Sequence, residues 1–235
     1  MYERSARLYD AVFAPRHDYP REAERLRGWI EARRRSAGNA LLDVACGTGA
    51  YLPHLSRWYA VEGLDRSRAM LAIAGPRNPG VPFYQGDLVS FDLGRRFDVV
   101  LCLGSSIGYA RTLPRLRRAI QAFADHTADG GVVVVEPWFD PEAWEAGRLT
   151  LDFVDEAALK VARVLVSGIT GVTVSTLDIH HMVATPAGVE TFAERHELGL
   201  FSRAEYEAAF RAARLAVAHH PDGLLRRGLY IGSKA

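Results

Sequence analysis

The chain has 235 residues, 49% of them hydrophobic and 24% charged, with a formal net charge of +1. That supplies the core of one large domain, or of one domain with an insertion, and it excludes attraction to nucleic acid or membrane through bulk charge. It contains no run of about 18 apolar residues and no signal-peptide pattern, and its two cysteines, Cys46 and Cys102, read as free buried thiols. A soluble, cytoplasmic protein is expected.

The first segment, Met1 to Phe13, carries Tyr2, Leu8, Tyr9, Val12 and Phe13 as a helical apolar stripe. It is expected to act as a lid over whatever site follows. Asp18 and Pro20 suit the start of a helix from about Pro20 to Arg35, with Leu26, Trp29 and Ile30 facing inward. Leu41 to Val44 reads as a buried parallel strand and runs into Ala45-Cys46-Gly47-Thr48-Gly49; a short helix is expected from Ala50 to Trp58. A strand, a Gly-x-Gly turn and a helix N-terminus make a nucleotide-handling site, in which glycines let backbone N–H groups approach the ligand. Asp43 closes the strand and suits a cationic ligand group. A third glycine would complete a dinucleotide fingerprint, but Leu52 occupies that position.

The second strand, Ala60 to Leu64, ends in Asp65, where an acidic residue holds a ribose hydroxyl. Ser67 caps a helix over roughly Arg68 to Ala74, which Gly75-Pro76 is expected to stop. Val81 to Gln85 leads into Gly86-Asp87-Leu88, and Phe97 to Leu103 leads into Gly104-Ser105-Ser106. A helix from Leu113 to Thr127 and a fifth strand, Val132 to Val135, follow. The pattern then changes. Val161 to Val166, Val172 to Val183 and Val189 to Leu198 are β-rich runs, with hairpin turns expected at Ser167-Gly168 and Pro186-Ala187-Gly188. Ser202 and Glu205 match a capping box, and Leu215 to His219 and Leu229 to Ile231 supply two last strands.

In order and spacing, Asp43-x-Ala45-Cys46-Gly47-Thr48-Gly49, the acid at 65, Gly86-Asp87-Leu88 and the Phe97-Asp98-x-Val100 strand resemble the S-adenosylmethionine-dependent methyltransferases of the Rossmann-like class. The expected fold is α/β: a seven-stranded Rossmann-like sheet with an inserted antiparallel sheet. Residues 1–138 would form the core with its lid, 139–200 the insertion for substrate and dimerisation, and 201–235 the return to the core.

The resemblance narrows further. Met1-Tyr2-Glu3, Leu8-Tyr9-Asp10, Ser105-Ser106-Ile107-Gly108, the run from Gly130 to Trp138 and Arg227-Gly228-Leu229-Tyr230-Ile231-Gly232 look together like the sugar N,N-dimethyltransferases, which methylate the amine of a TDP-linked aminodeoxysugar in antibiotic biosynthesis. The resemblance implies S-adenosylmethionine as cofactor, a TDP-aminosugar as substrate, and a homodimer. It places the cofactor against Tyr19, Ala45, Asp65, Asp87, Leu88 and Leu103, and the glycine loop adds Asp43, Cys46, Gly47, Gly49, Arg66 and Met70. The sugar side comprises Tyr9, Phe13, Ser105, Ser106, Trp138, His180 and Arg227, with Phe13 standing where the family has a tyrosine. Arg227 matches an arginine near the phosphates, and guanidinium groups suit those geometrically. His126 matches a family active-site histidine and is the expected base for the amine; its bland alternative is a surface histidine at a helix end. His180 and His181 point to opposite faces of one strand, so one of them is expected at the sugar. No metal site is expected. Two other readings share the glycine loop: a methyltransferase for another small acceptor, and a non-catalytic binder of the same cofactor.

Overall fold

The computed structural model describes residues 4–235; Tyr2 of the expected stripe and the Met1-Tyr2-Glu3 motif lie outside the described residues. Seven strands form the first sheet: β1 (Ala40–Val44), β2 (Ala60–Asp65), β3 (Phe83–Gln85), β4 (Phe97–Cys102), β5 (Thr127–Val135), β10 (Leu215–His220) and β11 (Leu229–Lys234). Their order is β10-β11-β5-β4-β1-β2-β3. The strands from β5 to β3 pair in parallel, and β11 lies antiparallel to β5. The chain moves outward from β1 to β3, then crosses back to put β4 on the other side of β1. That reversal opens a crevice at the carboxyl ends of β1 and β4, where open α/β sheets bind their ligands.

Apolar side chains cover both faces of this sheet. Leu42, Val100 and Val133 pack under α5 (Leu113–Asp125) and α6 (Arg203–Ala212), against Ile120, Phe123 and Phe210. Leu41, Val99 and Val134 pack under α2 (Tyr19–Glu31) and α3 (Leu52–Leu55), against Leu26, Ile30 and Leu55. The starts of α2 and α6 follow their caps. Asp18 accepts the Arg21 N–H, and Ser202 and Glu205 bond each other's backbone reciprocally. Helix α4 (Arg68–Arg77) runs through Gly75-Pro76, which were expected to end it. Its last turn is held from outside: Arg77 bonds the Thr48 hydroxyl at 3.0 Å and Asp10 at 2.5 Å. The helix after the glycine loop is a single turn, Leu52–Leu55, shorter than expected.

The second sheet is antiparallel, in the order β6-β7-β8-β9: β6 (Leu149–Asp155), β7 (Lys160–Thr170), β8 (Val174–Thr185) and β9 (Gly188–Gly199). The turn expected at Ser167-Gly168 is not one. β7 continues through it, and Gly168 lets β8 approach closely, since a Cβ there would meet the Thr176 hydroxyl at 2.6 Å. Pro186 and Ala187 do make a two-residue turn, closed by the Thr185–Gly188 pair. The sheet's inner face holds α1 (Ala6–Phe13), with Leu8 and Val12 packed on Val154, Val161, Val183 and Phe192.

Candidate active site

A cavity of about 840 Å³ lies between the carboxyl ends of the first sheet, the second sheet and the α1 segment. Its first half is built on the loop after β1. Ala45 takes a left-handed backbone, φ +60°, a conformation that costs a residue with a Cβ about 1 kcal/mol or more and clusters at ligand sites. Gly47 follows at φ +57°, and a Cβ built on it would project into open space, so the cradle admits a ligand's backbone-level approach. Asp65, at the end of β2, accepts the Gly47 N–H and the Ser67 N–H, both at 2.8 Å, and so ties the loop to the start of α4. Arg66, Met70, Asp87, Leu88 and Gly104 complete this half.

Asp43 lies behind the loop, 3% exposed and outside the cavity lining. Burial, with the neighbouring Asp65 charge, pushes its carboxyl up to about 8. These features fit S-adenosylmethionine. The glycine cradle leaves room for the backbone-facing part of the molecule, Asp65 offers carboxylate oxygens at the strand end, and Asp43 is an acid that a cationic group would ionise. Bound there, the cofactor supplies an electrophilic methyl. The chain's own part is to hold donor and acceptor in line and to exclude water.

The second half was largely hidden from the sequence. Tyr9, Phe13, Arg16 and His17 come from α1 and the turn after it; Trp138, Phe139 and Trp144 from the segment after β5; Arg148, Thr150 and Asp152 from around β6; Arg163 from β7; and Leu177, Ile179, His196 and Leu198 from β8 and β9. Asp152 pairs with both Arg16 and Arg163, the latter at 2.5 Å. Arg148 adds a further guanidinium, so this end is cationic. The Arg163 and Arg16 guanidinium groups also lie over the Phe13 ring, each 5.4 Å from its centroid.

Arg227 sits at the junction of the halves. It donates to the Ser105 hydroxyl at 2.8 Å and lies over Trp138 and Phe139, 5.2 and 5.0 Å from their centroids. Burial lowers its basicity, and the adjacent Glu136 charge works against that. Glu136 itself is fully buried. It accepts the Gly104 N–H at 2.8 Å through one oxygen, while the other has no hydrogen-bond partner among the described residues. Burial holds its carboxyl above the usual range despite Arg227.

Tyr9, Phe13, Ala45, Gly47, Asp65, Arg66, Met70, Asp87, Leu88, Ser106, Trp138 and Arg227 therefore come together around one cavity. The other expected residues do not line it. Tyr19 stands one layer back and stacks on His17, ring centroids 4.8 Å apart; burial pushes its phenol up to about 12. Cys46 packs toward Gly63, and Gly49 toward Asn78. Leu103 and Ser105 are buried in the wall, where Ser105 donates to the Pro137 carbonyl.

Two expectations are corrected. His180 is exposed on the outer face of β8, while His181 points inward under α1 and stacks on Phe192; neither reaches the main cavity. His126 precedes β5 at its amino end, the opposite edge of the sheet from the cavity. β5 separates the two: it runs beside β4 from the Phe97–Thr127 pair to the Cys102–Val135 pair, five steps or roughly 17 Å at about 3.3 Å per residue. The His126 ring is buried: Nδ1 bonds the Ala122 carbonyl at 2.8 Å and Nε2 accepts the Leu93 N–H at 3.0 Å. Both nitrogens are committed to backbone, so His126 fastens the 86–96 loop to α5 and is not the base. Nor is it the surface residue of the alternative reading.

Among the described residues no cluster of His, Cys, Asp and Glu has metal-binding geometry, and no helix is long and apolar enough to cross a membrane.

Comparison with known proteins agrees with this geometry. A family model described as a methyltransferase domain matches residues 41–131. The chain is 41% identical, over all of both chains, to the dTDP-3-amino-3,4,6-trideoxy-alpha-D-glucopyranose N,N-dimethyltransferase of Streptomyces venezuelae. It is 39% identical to the dTDP-4-amino-2,3,4,6-tetradeoxy-D-glucose N,N-dimethyltransferase of Saccharopolyspora spinosa, covering 97% of this chain and 91% of that one. The solved structure of S-adenosylmethionine-bound CalS10, an amino pentose methyltransferase from Micromonospora echinaspora involved in calicheamicin biosynthesis, is 38% identical, covers 97% of each chain and superposes with a TM-score of 0.86. The glycine cradle that seats the cofactor and the full-length agreement beyond it lead to one conclusion: the chain is an S-adenosylmethionine-dependent methyltransferase and belongs to the family of the dTDP-aminosugar N,N-dimethyltransferases.

Proposed function

We propose that the protein transfers methyl groups from S-adenosylmethionine to the ring amine of a dTDP-linked aminodeoxysugar, twice in succession on one nitrogen. The observation that carries this is the two-part cavity. Its cofactor half is joined to a cationic half in which Arg148, Arg16 and Arg163 outnumber Asp152 and Glu145. A nucleoside diphosphate brings two phosphates, which guanidinium groups bind well, and Trp138, Phe139 and Trp144 offer apolar walls to a deoxysugar. The relatives' names point the same way. They include 3-amino and 4-amino deoxyhexoses and an amino pentose at nearly equal identity, so the acceptor class is the aminosugar, with its amine at either carbon. The second methylation requires exchange of spent cofactor between steps.

The working unit is a homodimer. On β6, Thr150 and Asp152 face the cavity, while Leu149, Leu151 and Phe153 on the other face are 75%, 55% and 70% exposed. Val164, Val166 and Met182 extend that apolar face across the sheet. A second copy covers it by two-fold symmetry.

The test is to incubate the pure protein with S-adenosylmethionine and a panel of dTDP-3-amino and dTDP-4-amino sugars and to weigh the products. Gain of two methyl masses on one panel member is the expected result. A product that stops at one methyl with cofactor in excess refutes the dimethylation, and no product with any member refutes the substrate class.

A further inference from the structure

With His126 bonded to backbone at the far edge of the sheet, the proton of the sugar amine needs another acceptor, and the cavity floor contains one. Tyr109 lies in the 3-10 turn Ser106–Ala110, directly after the β4 loop that lines the cofactor half. Its hydroxyl is 2.8 Å from Nδ1 of His196 on β9. Both side chains line the main cavity, and His196 is otherwise buried. Nε2 of His196 faces Glu194, 3.7 Å away. Glu194 in turn accepts a hydrogen bond from Ser5, the residue that precedes α1, at 2.6 Å. A phenol, an imidazole and a carboxylate thus run in line from the cavity to the underside of α1. They come from two elements, the 3-10 turn and β9, and join the two sheets.

We infer that Tyr109 takes the proton from the acceptor amine and that His196, backed by Glu194, takes the proton from Tyr109. This rests on the aminosugar reading above. At neutral pH an alkyl amine arrives mostly as the ammonium ion, which has no lone pair to attack with. The ammonium donates an N–H to the Tyr109 oxygen. Its proton passes to that oxygen while the phenolic proton passes to Nδ1 of His196, leaving a neutral amine and an imidazolium beside Glu194. The amine lone pair then forms the N–C bond as the methyl's bond to sulfur breaks, with that electron pair staying on sulfur. The nitrogen again carries one positive charge, and the imidazolium returns its proton to water before the next turnover.

The phenol never has to become a free phenolate, because its proton leaves as the amine's arrives. The carboxylate suits the second step. Burial would push Glu194 upward, but the His196 ring, the Ser5 hydroxyl and the His181 ring hold it down at about 2, so it stays ionised throughout. Among the described residues, the other titratable and charged groups packed about the relay include His181 on β8, 3.8 Å from Glu194, Arg163 on β7 and Tyr9 on α1. Burial, first, holds His181 below its usual range, with the Glu194 charge opposing, which disfavours a second positive charge beside the imidazolium.

The test uses Tyr109→Phe and His196→Asn in the full-length protein, with single-turnover methyl transfer to the sugar followed from pH 6 to 10. Both variants are expected to lose about 100-fold at pH 7 and to recover toward the wild-type rate at high pH, where water deprotonates the amine. Calorimetric affinity for S-adenosylmethionine should stay within about twofold. Tyr109→Phe keeps the ring packing, so it tests the relay even if His196→Asn misfolds. Nitrogen NMR of the His196 ring adds a readout independent of turnover: Nδ1 should be an unprotonated acceptor whose resonance shifts in Tyr109→Phe. Wild-type rates in Tyr109→Phe across the pH range overturn the relay and leave the aminosugar reading intact, as does finding the resting proton on Nδ1. If the wild type binds the cofactor but methylates no panel member, the aminosugar reading falls and takes the relay with it; that pattern is distinct, because wild type and variants are then alike inactive.

Discussion

Asp43 and Asp65 show how one residue type is given two duties by its surroundings. Asp65 works through its carboxylate hydrogen bonds. It orders the glycine loop through the Gly47 and Ser67 N–H groups and faces the cavity. Asp65→Ala should weaken S-adenosylmethionine binding by roughly 1.5–3 kcal/mol, the worth of a hydrogen bond to a charged group, and calorimetry measures it. Asp43 has been moved to the other side of neutrality. Its folded-state value of about 8 stands against an ordinary 3.8. A raised acid contributes its stability in full below the unfolded value and loses it as pH rises through the folded one. The ligand-free protein should therefore lose stability between about pH 4 and pH 8. Asp43→Asn should be more stable than wild type by several kcal/mol at pH 8 and by much less at pH 5, as read from denaturant curves at the two pH values. Binding the cationic cofactor at pH 7 should release a proton from Asp43, seen as a binding enthalpy that depends on the buffer's ionisation heat. A buffer-independent enthalpy assigns Asp43 to the scaffold alone.

At the scale of elements, β6 was the strand the sequence concealed. Its alternation is intact, but inverted relative to the usual rule: Thr150 and Asp152 point into the protein, while Leu149, Leu151 and Phe153 point out. The polar residues face a cavity instead of a packed core, and the apolar ones are exposed, so neither face matches the pattern of a half-buried strand. Gly168 misled for a related reason, since a glycine that permits close strand approach has the same letter as one that makes a turn. Arg148, at the entry to β6, belongs to the cationic end. Arg148→Ala should raise KM for the nucleotide sugar about 10- to 100-fold with little change in kcat, because a phosphate contact remote from the reacting nitrogen holds substrate and transition state alike. A fall in kcat at constant KM would move Arg148 to the chemistry.

At the scale of the whole molecule, the second sheet serves two surfaces at once. One face closes the cavity, and the other presents the apolar patch of Leu149, Leu151 and Phe153. A double substitution, Leu151→Asp with Phe153→Asp, should convert a two-protomer species into a monomer in light scattering. Cofactor affinity should be unchanged, since neither side chain lines the cavity. A wild type with a monomer mass at every concentration refutes the dimer.

Residues close in sequence carried most of what could be read without a structure. The parallel strands with their terminal acids, the glycine cradle, the helix caps and the cofactor half of the site are local: each rests on a few consecutive residues whose backbone and side-chain preferences point the same way. The resemblance extended this to the family, and from there to Phe13, Trp138 and Arg227. Contacts across long separations were left to tertiary structure. His126 carries the right side chain, but one strand's length puts it at the wrong end of the sheet. Asp152 meets Arg16 across 136 residues, and Tyr109 meets His196 across 87. No spacing rule encodes such pairs, because it is the packing of α1 and the second sheet onto the first that brings them within bonding distance.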